Sequence, residues 1–149
     1  MNTELHTDIT IGDICKGFVY NEQEGKGLFG MNGRLIIQPE YQRNYIYNDG
    51  RKDVAVIDSV LHGYPLGLIY LNRRPDGLLE VLDGQQRITS LGRLLTNKLT
   101  VRYDGREQKY YSLNAELQKL FAKPPLTLYI CEGTEAEIKK WFKIINIAG

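Results

Sequence analysis

Five consecutive residues, Asp83-Gly84-Gln85-Gln86-Arg87, put a carboxylate, a glycine, two amides and a guanidinium side by side. Each type suits work on a phosphate ester. Asp83 could hold Mg²⁺ through oxygen or orient a water. Gly84 lets a ligand come close to the backbone. Gln85 and Gln86 could place a nucleophilic water or read a ligand by hydrogen bonding, and Arg87 offers a planar, permanently charged fork. The flanks say how the five are held. The apolar run Leu78-Leu79-Glu80-Val81-Leu82 comes before them, and Ile88, Leu91, Leu94 and Leu95 follow at helical spacing. A strand that turns into a helix aims backbone N–H groups and the positive end of the helix dipole at one spot, where an anion binds. The same residues also fit a plain Asp-Gly turn followed by a solvated first helical turn. Residue types alone leave both readings open.

Upstream lies a second polar block, Pro39 followed by Tyr41-Gln42-Arg43. Between the blocks runs Ile57-Asp58-Ser59-Val60-Leu61-His62-Gly63-Tyr64-Pro65-Leu66. Taken together, Asp83 to Arg87, the Tyr-Gln-Arg triplet and the Gly-Tyr-Pro-Leu turn resemble the signature of the N-terminal domain of GmrSD-type, modification-dependent restriction enzymes and related phage-defence proteins. Order and spacing agree over residues 34 to 95, and Trp141 to Gly149 resembles the family's continuation. That family looks like a member of the ParB/sulfiredoxin-like superfamily, in which a Gly-x-x-Arg element at a helix start binds nucleotide phosphates. The resemblance implies nucleoside-triphosphate binding and hydrolysis, with Mg²⁺ accompanying the nucleotide, coupled to restriction of foreign DNA. In the family the nuclease centre is a separate C-terminal His-Asn-His domain. This chain has only His6 and His62, so the nuclease is expected on a further domain or a partner subunit.

On this reading the segment Gln38 to Arg43 and the segment Asp83 to Arg87 share one pocket. Gly84, Gln85, Gln86 and Arg87 hold phosphates. Gln42 and Arg43 join them, Arg43 as a second cation on the terminal phosphate, where transfer needs negative charge neutralised. Tyr41 or Tyr45 stacks on a base. Asp83, Gln85, Gln86 and Arg43 are the catalytic candidates. The plain alternative for Arg43 is an ion pair with Asp58 or Asp83. Two other functions remain: a DNA-binding module that senses modified DNA without NTPase activity, and a structural interaction domain.

Composition sets bounds on these readings. The 149 residues make one domain with room for a core, 42% hydrophobic and 25% charged. Net charge is +1, so no bulk basic field draws in DNA. Any contact with DNA needs a local patch gathered from Arg43, Arg51, Lys52, Arg73, Arg74, Arg87 and Arg93. No apolar run is long enough to span a membrane, and Met1 to His6 lacks the pattern of a secretory signal, so a cytoplasmic location is expected. Cys15 and Cys131 stand far apart with no CxxC pattern, so neither a disulfide nor a zinc site is expected, and Cys131, after the apolar run Leu126 to Ile130, reads as a buried structural thiol rather than a nucleophile.

The positioning elements follow from spacing and punctuation. A short helix is expected over 9–17 and a mobile glycine-rich loop over 21–33, which lacks the Gly-Lys-Ser/Thr of a Walker loop. Leu35-Ile36-Ile37 reads as a strand. A helix over 51–62 puts Val54, Ile57, Val60 and Leu61 inward, capped by Asn48 or Asp49 and stopped by Gly63. Residues 66–71 and 78–82 are strands around the turn Pro75-Asp76-Gly77, and the motif helix runs over 85–97. A hairpin around Asp104-Gly105, a helix over 113–122 and a strand over 126–130 follow. A last helix opens on the capping box Thr134 to Glu137, with Ile138, Trp141, Phe142 and Ile145 inward. The sum is a mixed α+β domain, a small sheet flanked by helices, with the ParB/sulfiredoxin-like superfamily as the implied relation.

Overall fold

The computed structural model describes residues 1–21, 26–37 and 50–148. In chain order the strands are β1 (Asn2–His6), β2 (Val19–Asn21), β3 (Lys26–Gly30), β4 (Leu35–Ile36), β5 (Leu68–Arg73), β6 (Leu79–Asp83), β7 (Thr100–Tyr103), β8 (Arg106–Lys109) and β9 (Thr127–Glu132). The helices are α1 (Ile11–Cys15), α2 (Arg51–Leu61), α3 (Gln85–Leu95), α4 (Ala115–Ala122) and α5 (Glu135–Ala148). Among the described residues the main sheet has seven strands, ordered β1-β9-β5-β6-β4-β3-β2, and β7 and β8 form a separate hairpin. The β5–β9 and β4–β6 pairs are parallel and the others antiparallel. This is an α+β fold, as the spacing predicts.

Strict alternation in the central strands separates two cores. Ile69 and Leu71 of β5, Val81 of β6 and Leu128 and Ile130 of β9 pack with Ile14 of α1, Ile57 of α2, Ile88 and Leu91 of α3 and Phe121 of α4. The residues between them face the other way. There Tyr70, Leu82 and Cys131 meet Ile138, Trp141 and Phe142 of α5. Trp141 stands edge-on to Tyr70 at 5.2 Å between ring centroids, and Tyr70 stacks on Tyr129 at 5.8 Å. Helices α1 to α4 therefore cover one face of the sheet and α5 the other.

Three expectations change. Residues 26–30, placed in a glycine-rich loop, form β3 between β2 and β4. Glycine is required there, because a Cβ on Gly30 would lie 2.3 Å from the Ile14 carbonyl oxygen. Edge strand β1 was not foreseen, since Asn2 to Leu5 are exposed and show no apolar alternation. In α2 the buried positions are Asp53, Ile57 and Val60, while Val54 is 59% exposed. An acid at the inward position hid that face from a reading based on apolar spacing. Gly50, at φ +85°, is the residue preceding α2, without a side-chain cap; Asn48 and Asp49 lie outside the described residues.

Candidate functional site

Strand β6 ends at Asp83, and α3 starts two residues later, so the expected strand-to-helix junction is present. A bulge prepares it. Tyr70 pairs with Asp83 but Leu71 with Val81, which leaves Leu82 as the extra residue on β6. Val81 and Leu82 are both buried and Asp83 is exposed. Gly84 makes the corner at φ +114°, a conformation that side chains rarely adopt. A Cβ there would also come within 3.0 Å of the Ile69 side chain. The first bond of the helix runs from the Ile88 N–H to the Gly84 carbonyl at 3.1 Å. The N–H groups of Gln85, Gln86 and Arg87 thus precede the helical ladder, at the positive end of its dipole.

The Arg87 guanidinium lies between two glycine backbones. Nη1 donates to the Leu66 carbonyl, and Nη2 stands 4.0 Å from Asp83 Oδ2. A Cβ on Gly67 would be 3.1 Å from Nη1, and one on Gly84 would be 3.4 Å from Nη2. Two positive-φ glycines keep this fork uncovered by side chains of their own. The side chain remains 24% exposed. Leu66 and Gly67 also line a cavity of about 430 Å³, with Tyr64, Pro124 and Leu126 among its other walls.

The two glutamines face different neighbours. Gln85 is buried, and its Nε2 donates to the Val81 and Leu82 carbonyls at 3.2 Å each, which ties the helix start to the strand before it. Expected in catalysis, its amide nitrogen carries a structural duty here. Gln86 turns toward α2. Its Nε2 donates to Asp53 Oδ1 and to Ser90 Oγ, both at 3.1 Å. Ser90 Oγ donates to the same Asp53 oxygen at 2.6 Å, and Arg93 Nη1 stands 3.5 Å from Asp53 Oδ2. Asp53 is 8% exposed and borders a second cavity of about 460 Å³, lined also by Gly50, Arg51, Ile57 and Thr100. Sequence reading missed Asp53. The available signal was an acid on the stripe shared with Ile57 and Val60.

The remaining candidates are quickly placed. Gln38, Tyr41, Gln42, Arg43 and Tyr45 lie outside the described residues. Of the described arginines offered for DNA, Arg74 pairs with Asp76 at 2.8 Å on a hairpin turn, while Arg93 is turned to Asp53; Arg43 lies outside the described residues. Asp58 is exposed on α2, and His62 Nδ1 meets the Asp58 carbonyl at 2.7 Å at the helix end. Burial pushes the Cys15 thiol up to about 12, and that of Cys131 upward too, so neither is a ready nucleophile. Among the described residues, no three His, Cys, Asp or Glu side chains converge as metal ligands, and no helix is long and apolar enough to cross a membrane.

Residues 25–148 match the protein family described as GmrSD restriction endonuclease, N-terminal domain. No curated protein and no solved structure matches the chain.

Proposed function

Because the chain belongs to the family of GmrSD restriction endonuclease N-terminal domains, a domain of restriction and phage-defence proteins, we propose that it binds a nucleoside triphosphate at the β6–α3 junction. Binding, followed by hydrolysis, gates a nuclease carried on a further domain or a partner subunit. The observation that carries this reading is the Arg87 fork held between Gly67 and Gly84 at the start of α3. Cation, helix start and close backbone approach converge there, which is the chemistry a phosphate needs. The α3 N-terminus and Arg87 take phosphate oxygens. Arg43, on sequence grounds, supplies a second cation.

Asp83 fits the part of a Mg²⁺ ligand in one respect. It is an exposed single carboxylate beside the phosphate position, and Mg²⁺ commonly takes one or two carboxylates, the substrate's phosphates and water. Bound there, the ion would neutralise phosphate charge. The DNA-binding reading has less support, because among the described candidate arginines Arg74, Arg87 and Arg93 each already face a carboxylate.

A thermal-shift panel of nucleotides, with and without Mg²⁺, tests the proposal. A ligand that binds the native state raises stability by RT ln(1 + [L]/Kd). The expected result is a concentration-dependent rise with a triphosphate. No rise with any nucleotide, together with DNA binding that falls steeply with salt, would replace this reading with the DNA-binding one.

A further inference from the structure

We propose that the cavity of about 430 Å³ beside Arg87 receives the nucleoside end of the bound triphosphate, with Tyr64 as the ring on which its base stacks; this rests on the nucleotide reading above. Tyr64 belongs to the short connection His62-Gly63-Tyr64-Pro65-Leu66-Gly67 between α2 and β5. Gly63 follows the helix end at φ +73°. Its N–H donates to the Val60 carbonyl at 3.0 Å, and the Tyr64 N–H donates to the Ser59 carbonyl at 2.8 Å. The Tyr64 backbone is thus tied to the end of α2, and Pro65 restricts the residue that follows. The His62 ring, itself against the Asp58 carbonyl, lies on the Tyr64 ring at 5.4 Å between centroids and 20° between planes. Tyr64 nevertheless remains 62% exposed and lines the cavity. A large aromatic ring, braced by a neighbour and open at a cavity wall, is a platform for a base.

The cavity and the Arg87 fork share one stretch of backbone. Leu66, Gly67 and Leu68 line the cavity. The Leu66 carbonyl accepts from Arg87 Nη1, a Cβ on Gly67 would lie 3.1 Å from that nitrogen, and one on Gly84 would lie 3.0 Å from the Ile69 side chain. The run Leu66 to Ile69 therefore touches the cavity and the motif corner at once, and Gly67 puts no side chain between them. None of the described wall residues carries a formal charge. Ile11 of α1, Val60 of α2, Leu120 of α4 and Leu126 are aliphatic, and Thr127 adds a hydroxyl. Phosphates would meet no cation in such a cavity and would stay desolvated without a partner. A base with its ribose is uncharged and flat-faced, and the volume falls in the range of about 300–1,000 Å³ usual for small-molecule sites. One molecule with an anionic end and an uncharged aromatic end satisfies both places together.

Calorimetry on the full chain with Mg²⁺ tests this with two kinds of probe: the common ribonucleoside triphosphates, and inorganic triphosphate, which has the phosphates but no nucleoside. Wild type, Tyr64→Ala, Tyr64→Phe and Arg87→Ala are compared, with thermal midpoints as a check on folding. The wild type is expected to bind at least one nucleoside triphosphate more tightly than inorganic triphosphate. Tyr64→Ala should weaken that nucleotide about ten-fold or more, the scale of one lost base stack, while Tyr64→Phe keeps the ring and most of the affinity. For inorganic triphosphate, Tyr64→Ala should stay within about two-fold of wild type, since separate sites act independently. Arg87→Ala should weaken both probes. Equal affinity of the wild type for the two probes, or a loss of the same size for both in Tyr64→Ala, would overturn the nucleoside cavity and leave the phosphate site standing. Unchanged nucleotide affinity in Tyr64→Ala would do the same. A wild type that binds neither probe would remove both readings.

Discussion

Arg87 has two duties in one side chain. Its Nη1 holds the Leu66 carbonyl, and the rest of the fork faces the corner made by Gly84. Arg87→Ala is therefore expected to reduce triphosphate affinity and also to cost about 1.5–3 kcal/mol of folding stability, the usual scale for a hydrogen bond to a charged group. Arg87→Lys keeps the charge but not the fork, so its affinity should fall between wild type and alanine. Calorimetry and urea unfolding read the two effects separately. Unchanged affinity in Arg87→Ala would end the phosphate role. The chemical half of this residue was legible in the sequence, because a Gly-Gln-Gln-Arg helix start announces a cation near N–H groups. The structural half was not, since the carbonyl it meets lies 21 positions earlier in the chain. Asp53 was hidden for a related reason. Its partners Gln86 and Ser90 are 33 and 37 positions away, and an acid in a helix's first turn reads by default as a solvated favourable charge.

At the scale of elements, α3 is fixed on all sides, and this allows two stability tests. Gly92 is buried in its interior, where a Cβ would fall 2.3 Å from Phe18 Cδ2. Alanine is normally the better helix residue by about 1 kcal/mol. Here Gly92→Ala should instead destabilise by about 1–3 kcal/mol through overpacking, and Phe18→Leu in that background should restore part of the loss. Leu91→Ala, on the same helix and 1% exposed, should cost about 2–5 kcal/mol. Urea curves measure both. A gain in stability from Gly92→Ala would mean that Phe18 does not pack on α3. At α5 the capping box Thr134–Glu137 is present, with Thr134 N to Glu137 Oε1 and Glu137 N to Thr134 Oγ1 both at 3.1 Å. The Thr134 backbone N–H, and then the Met1 amino group, draw the Glu137 carboxyl down from its ordinary 4.5 to about 2. A lowered value in the folded state means a contribution that is complete above 4.5 and lost as pH falls through about 2. Glu137→Gln should therefore flatten the acid limb of the stability profile between these two values, measured by thermal unfolding against pH. An unaltered limb would mean that the box adds no pH-dependent stability. Most elements were legible from periodicity and caps. Strands β1, β2 and β3 were not, because a polar edge strand, a three-residue strand and a glycine-rich strand carry no apolar alternation, and they are placed by pairing with other strands.

At the scale of the whole molecule, the sheet is a platform between two unequal layers. Among the described residues, helix α5 closes one face with aromatic packing, and helices α1 to α4 close the other. The candidate site sits at the end of β6, a central strand bracketed by β5 and β4. A rigid strand end, a glycine corner and a well-packed helix hold a small set of polar groups without relying on a large cavity. A net charge of +1, with Arg74 and Arg93 each facing an acid, suits a compact anionic ligand better than a long polyanion. The most direct test of that claim is an isothermal titration of the chain with a nucleoside triphosphate and Mg²⁺, repeated with Arg87→Ala. Saturable one-site binding by the wild type, weakened at least about ten-fold in the variant, corresponding to 1.4 kcal/mol, is the expected result. No heat of binding from any triphosphate, or equal affinity in the variant, would contradict it.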